Sequence, residues 1–202
     1  MENKTLYFIR HAQSVYNEMG LIQGDLDPAL SEKGRKDVKE HAPLYEVLEL
    51  KHIAHSPLLR AKTTAETIGE TLNIPTSTWP GLEEMDFGKW DCQMKFENWA
   101  QFRTDFYQHG MAPPGGESKR QVYERVENEV INICNETSDD PVMIVCHGMV
   151  MRILLGEWFT NSSEKELRAI EMPNLALYKV DVKYDSQQIR PQNYELIDIH
   201  EG

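Results

Sequence analysis

Cysteine is scarce in this chain. Three stand in 202 residues, Cys92, Cys134 and Cys146, with no C-x-x-C pair among them. An odd number without that spacing makes neither a disulfide framework nor a thiolate zinc site, and it fits a reducing compartment. Long apolar runs are missing too, since no window nears the roughly 20 residues of a membrane span. The opening Met1-Glu2-Asn3-Lys4-Thr5 leads into a strand-length apolar stretch rather than a signal region, so the expected location is the cytoplasm. Positive charge is in deficit, with 21 Lys and Arg against 33 Asp and Glu and a formal net charge of -12. That balance repels nucleic acid and anionic lipid, so neither is an expected partner. There is no P-loop glycine pattern and no carboxylate-rich metal set, so no metal or other cofactor is expected.

What is present suits a folded protein with a core: 40% of residues are apolar and 27% charged. The length predicts a single domain over residues 1–202. Leu6-Tyr7-Phe8-Ile9 and Val142-Met143-Ile144-Val145-Cys146 are apolar at every position, the pattern of strands covered on both faces. His52-Ile53-Ala54-His55-Ser56, stopped by Pro57, predicts a third strand and Ile74 to Trp79 a weaker one. Ala61, Ala65, Ile68 and Leu72 give one apolar helix face, and Val122, Val126, Val130 and Ile133 another, behind a capping box at Ser118 and Gln121. Met149 to Phe159 reads as a further helix. The helix opened by Ser31 should break, or give way to a second one, at Pro43. The tail from Leu175 to Ile199 offers one or two closing strands. Strands alternating with helices predict an α/β fold: a three-layer sandwich whose mainly parallel central sheet is flanked by helices. Residues 89–114, rich in bulky side chains, are expected as a small helical insertion over the site.

In open α/β sheets, ligands bind beyond the carboxyl ends of the strands. Three runs end there in chemistry: Arg10-His11, Ser56-Pro57-Leu58-Leu59-Arg60, and His147-Gly148. If these strands are neighbours, two guanidinium groups and two imidazoles share one edge, a set suited to a phosphate dianion. An imidazole with an ordinary pKa of about 6.5 is also a usable nucleophile at neutral pH. A lone histidine is most often a packed or exposed ring, so His41, His52, His109 and His200 are assigned no role.

The run Leu6 to Ser14 through Arg10-His11-Ala12-Gln13, with Asn17 beyond it, resembles the signature of the histidine phosphatase superfamily, the phosphoglycerate mutase-like proteins. The resemblance continues through Gln23-Gly24, Leu30-Ser31-Glu32-Lys33-Gly34, Ser56-Pro57-Leu58-Leu59-Arg60-Ala61, Glu84 to Trp90, Pro114-Gly115-Gly116-Glu117-Ser118 and Val145-Cys146-His147-Gly148. It departs at Ala12 and Met149, where glycine is commoner. The resemblance implies His11 as the nucleophile that becomes a phosphohistidine. It makes Arg10, Arg60 and a protonated His147 the phosphate pocket, with Asn17, Gln23 and Gly24 beside the transferring group. Glu84 is implied as proton donor over its neighbour Glu83, because Glu84 keeps the family spacing to Gly88.

The expected function is metal-independent hydrolysis of small phosphomonoesters. The segment from Glu84 to Gly115 is short for a phosphoglycerate mutase-type phosphotransferase, which is the alternative. A non-catalytic phosphate-binding module is a further alternative, opposed by the intact His11 and Glu84. Cys146 and Arg152 form a C-x5-R match to cysteine-dependent phosphatases, but two bulky Met residues and an apolar helix follow the cysteine, which suits packing better than a phosphate loop. Phe96, Trp99 and Phe106 could share a helix face that overhangs the pocket or one that packs on the domain. Trp90 is expected to pack. No heptad or exposed apolar repeat fixes an oligomeric state.

Overall fold

The computed structural model describes residues 1–93, 106, 111–160 and 163–199. A six-stranded mixed sheet forms the middle layer. Its strands are β1 (Glu2–Arg10), β2 (His52–His55), β3 (Thr76–Thr78), β4 (Val142–Cys146), β5 (Leu177–Tyr184) and β6 (Ile189–Ile197), in the order β3-β2-β4-β1-β5-β6. The first four positions are parallel, while β5 and β6 add antiparallel to β1. The helices are α1 (Val15–Met19), α2 (Glu32–His41), α3 (Leu59–Leu72), α4 (Lys119–Glu136), α5 (Gly148–Phe159) and α6 (Glu164–Ala169).

Side-chain alternation along the strands builds the three layers. Leu6 and Phe8 of β1, with Val142 and Ile144 of β4, face a core completed by Val122, Val126 and Val130 of α4 and Ile153 and Leu154 of α5. Tyr7, Ile9, Met143 and Val145 face the opposite core with Val38 of α2 and Ala61, Ala65 and Ile68 of α3. Both faces of β1 and β4 are thereby buried, which is why these strands carry no polar alternation. The tail supplies two closing strands.

Local chemistry sets several boundaries. Ser118 accepts from the Gln121 N–H, and Gln121 returns the bond to the Ser118 N–H, the reciprocal cap that starts α4. At its other end, buried Lys4 donates to the carbonyls of Cys134 and Thr137, closing orphan acceptors of the last turn. Pro43 both stops α2 and opens a 3-10 helix over Ala42–Leu48. The weak strand at Ile74–Trp79 shrinks to Thr76–Thr78. Most of the insertion expected at residues 89–114, including Phe96 and Trp99, lies outside the described residues. Phe106 is buried in the α4/α5 core, and Trp90 packs there too, with Lys89 Nζ 4.9 Å from its ring centroid.

Candidate active site

The strand order settles the condition on which the sequence reading rested. β4 lies between β1 and β2, and Arg10 pairs with Cys146 while His55 pairs with Val145. The three reactive endings therefore emerge side by side. His11 N–H donates to the Cys146 carbonyl and Ser56 N–H to that of Val145, carrying the ladder one residue past each strand. As a result the His11 and His147 rings sit 5.2 Å apart, both buried.

His11 Nδ1 lies 2.7 Å from the Ala12 carbonyl. A carbonyl only accepts, so Nδ1 carries the proton and a neutral ring keeps its lone pair on Nε2. His147 Nε2 contacts Ser56 Oγ at 2.8 Å, and that oxygen already accepts from Leu58 N–H. The hydroxyl can donate to His147 Nε2, and in that arrangement the neutral ring carries its own proton on Nδ1. Burial, then the positive charge of Arg60, His11 and Arg10, hold His147 well below the ordinary imidazole range. In the ligand-free site the ring is therefore neutral at neutral pH.

The two arginines are fixed by backbone carbonyls. Arg60, in the first turn of α3, donates to the carbonyls of Leu26 (2.5 Å) and Gly24 (2.8 Å). Gly24 thus serves the site through its backbone. Its φ of 52° lies in the left-handed region and an added Cβ would stand 2.1 Å from an Asp91 side-chain oxygen, both of which favour glycine there. Arg10 donates from Nη1 to the Met172 carbonyl. Gly148 admits it against α5, since a Cβ there would stand 3.2 Å from Arg10 Nε. Burial, and repulsion from Arg152 and Arg60, bring the Arg10 guanidinium down to about 10, with Glu84 opposing; it is cationic at neutral pH. Arg10 Nε, Arg60 Nε and His147 Nδ1 are buried with no hydrogen-bond partner among the described residues. Three orphan donors in one site are costly unless an acceptor arrives to use them.

Two amides flank the cations. Asn17 Oδ1 accepts from Ser14 N–H (3.3 Å) and Asn174 Nδ2 (3.1 Å), and Gln23 Oε1 accepts from Ser14 Oγ (2.5 Å). With both oxygens engaged inside the protein, each side chain is left to present its N–H2 as a donor. Gln23 lines a cavity of ≈ 340 Å³ together with Arg10, Gly24, Glu84, Met149 and Arg152.

Glu84 also lines that cavity, whereas Glu83 is not among its walls. Its carboxylate accepts from the N–H groups of Met85 (3.0 Å), Met149 and Val150 (both 3.2 Å), capping α5 from a separate loop. Those α5 amides are occupied, so they cannot wrap a phosphate as a cysteine-phosphatase loop would. Burial pushes the Cys146 thiol upward, further from a thiolate. Arg125 anchors the segment before Glu84: it donates to the carbonyls of Gly81 and Glu83, both at 2.9 Å, and forks onto both oxygens of Glu117.

Sequence reasoning missed Ser14, Ser56, Arg125 and Asn174. The first two lie inside stretches already singled out, but nothing in the sequence joins Asn174 to residues 157 and 163 positions earlier. It also missed a carboxylate cluster at the rim. Asp25, Asp86 and Asp91 have oxygens within 4.8 Å of one another, and burial plus the other two charges push Asp91 up to about 7.

Buried cations and orphan donors at the carboxyl edge of an α/β sheet, facing an imidazole lone pair and a carboxylate, define a phosphoryl-group enzyme site. The chain belongs to the histidine phosphatase superfamily (branch 1), whose sequence pattern it matches over residues 6–195. It is 33% identical over 154 residues to phosphoserine phosphatase 1 of Hydrogenobacter thermophilus, covering 74% of this chain and 73% of that one. A probable phosphoglycerate mutase of Erwinia tasmaniensis is 26% identical, covering 87% and 84%. The mycobacterial glucosyl-3-phosphoglycerate phosphatase solved with VO3 superposes with a TM-score of 0.81 at 25% identity, covering 96% and 97%. Family and relatives support a phosphatase-type hydrolase. Among the described residues no helix is long and apolar enough to cross a membrane.

Proposed function

We propose that the protein hydrolyses small phosphomonoesters through a phosphohistidine at His11, without a metal ion. The observation that carries this reading is the set of orphan polar atoms at Arg10 Nε, Arg60 Nε and His147 Nδ1, with the His147 ring 5.2 Å from that of His11. Three phosphoryl oxygens can supply the missing acceptors. In the first half, His11 Nε2 forms a bond to phosphorus as the bond to the ester oxygen breaks, and Glu84 gives that oxygen a proton. Arg10, Arg60 and His147 Nδ1–H hold the equatorial oxygens as charge spreads over them, with the amides of Asn17 and Gln23 alongside. In the second half, Glu84 takes a proton from water, the water oxygen bonds to phosphorus, and the N–P bond breaks to release phosphate and restore His11. Two arginines supply the positive charge that a metal brings to other phosphatases.

Water is preferred over a second substrate as acceptor because the segment from Glu84 to Gly115 is short. The test is phosphate release from an aryl phosphate by wild type and His11→Ala, in the presence of EDTA. The expected result is turnover by wild type alone, with a trapped phosphoenzyme that is labile in acid and stable in alkali. Equal turnover by His11→Ala, or dependence on a bisphosphoglycerate primer, overturns the reading.

A further inference from the structure

Arg152 plays no part in that chemistry, yet it lines the same cavity. It projects from the second turn of α5, half-buried, and donates from Nε (3.4 Å) and Nη2 (3.2 Å) to the Ile170 carbonyl. Those two bonds use one edge of the guanidinium. Among the described residues Nη1 has no protein partner and Arg152 forms no ion pair with a carboxylate, Glu84 on the same cavity wall being held by backbone N–H groups instead. Arg152 also lies close enough to Arg10 for its charge to depress that group. A half-buried cation held beside another cation, without a counter-ion, is unfavourable unless a ligand supplies one. The remaining walls include Ile22, Phe87, Met149 and Met172, which suit the carbon skeleton of a compact leaving group and offer it no charge.

Resting on the phosphatase reading above, we infer that Arg152 selects phosphomonoesters whose leaving group carries a carboxylate. The reacting phosphate occupies the Arg10 and Arg60 end, and the carboxylate pairs with Arg152 Nη1 across the apolar walls. A carboxylate fits better than a second phosphate. One guanidinium with a single free nitrogen matches one negative charge and one or two acceptors, and a dianion would bring more of both than the wall can answer.

The test compares kcat/KM for 3-phosphoglycerate and glycerol 3-phosphate, which differ by a carboxylate against a hydroxymethyl group. It uses wild type, Arg152→Lys and Arg152→Gln. Wild type is expected to favour the carboxylate by about tenfold or more, the scale of a charge-assisted hydrogen bond. Arg152→Gln should shrink that preference to about threefold or less, chiefly through KM, and Arg152→Lys should retain part of it. The inference is overturned by a wild type that does not discriminate, by variants that lose both activities in equal proportion, or by stronger wild-type preference for 2,3-bisphosphoglycerate that Arg152→Gln abolishes. Failure of wild type to release phosphate from either ester, and from an aryl phosphate, would instead sink the phosphatase reading.

Discussion

Asn174 Nδ2 donates both to the His11 carbonyl (2.9 Å) and to Asn17 Oδ1 (3.1 Å). One amide group therefore holds the backbone of the proposed nucleophile and dictates which end of the Asn17 amide is left to donate. Replacing it with Ala should lower kcat/KM by about tenfold and weaken inhibition by orthophosphate, since two positioning bonds are lost. Asn174→Asp should be worse than Asn174→Ala, because a carboxylate puts acceptors against two acceptors. Steady-state kinetics and thermal melts of both variants check this; an Asp variant as active as the Ala variant contradicts it.

His147 gives a pH dependence whose direction follows from burial. Its proton affinity is lower folded than unfolded, so its contribution to stability is present above the ordinary 6.5 and is lost as pH falls below that value. The melting temperature should drop between pH 7 and pH 5, and less steeply in His147→Gln. Saturating orthophosphate should reduce the difference, since a bound dianion favours the imidazolium. Parallel slopes for the two proteins would refute the assignment.

Asp91 works in the opposite sense. Folding raises its affinity for the proton from the ordinary 3.8 to about 7, so the folded state loses stability as pH climbs through that interval. Asp91→Asn keeps the shape and removes the charge. Its melting temperature relative to wild type should rise from pH 4.5 to pH 7.5 and then level off, as melts at several pH values would reveal.

Arg125 fixes the Glu83 carbonyl and clasps Glu117, so it governs where Glu84 sits without touching the cavity. Arg125→Met should cost about 1–3 kcal/mol of stability through the carbonyls and carboxylate left unpaired. It should also lower kcat about tenfold or more while altering KM less. Arg125→Lys, which keeps the charge but loses the fork, should recover stability better than it recovers kcat. Kinetics that follow stability alone in both variants would assign Arg125 a purely structural role.

The layers were legible because β1 and β4 are buried on both faces and so read as unbroken apolar runs. α1 was not legible: its five residues are too few for periodicity, and it is set by the Ser14 and Asn17 cap. The reactive set was readable because each member follows a strand or opens a helix within a recognisable stretch. Its supports were not, since Asn174, Arg125 and the three rim aspartates reach the site only through tertiary folding. The neutral state of His147 in the ligand-free site was not readable either, for the same reason. Desolvation and two nearby arginines are properties of the assembled site, and a motif carries no measure of either.

The pairing of β1 with β5 joins residues near the two ends of the chain, Glu2 with Tyr184 and Ile9 with Leu177. Arg10 ends β1 and His11 follows it directly. The Met172 and Ala176 carbonyls, the Leu175 amide and the Asn174 side chain that hold them are made more than 150 residues later. Contacts of such long sequence separation form late and slowly. A chain still being synthesised therefore holds His11 without the carbonyls, amide and side chain that aim it until residues 172–176 have been made and have folded back onto β1.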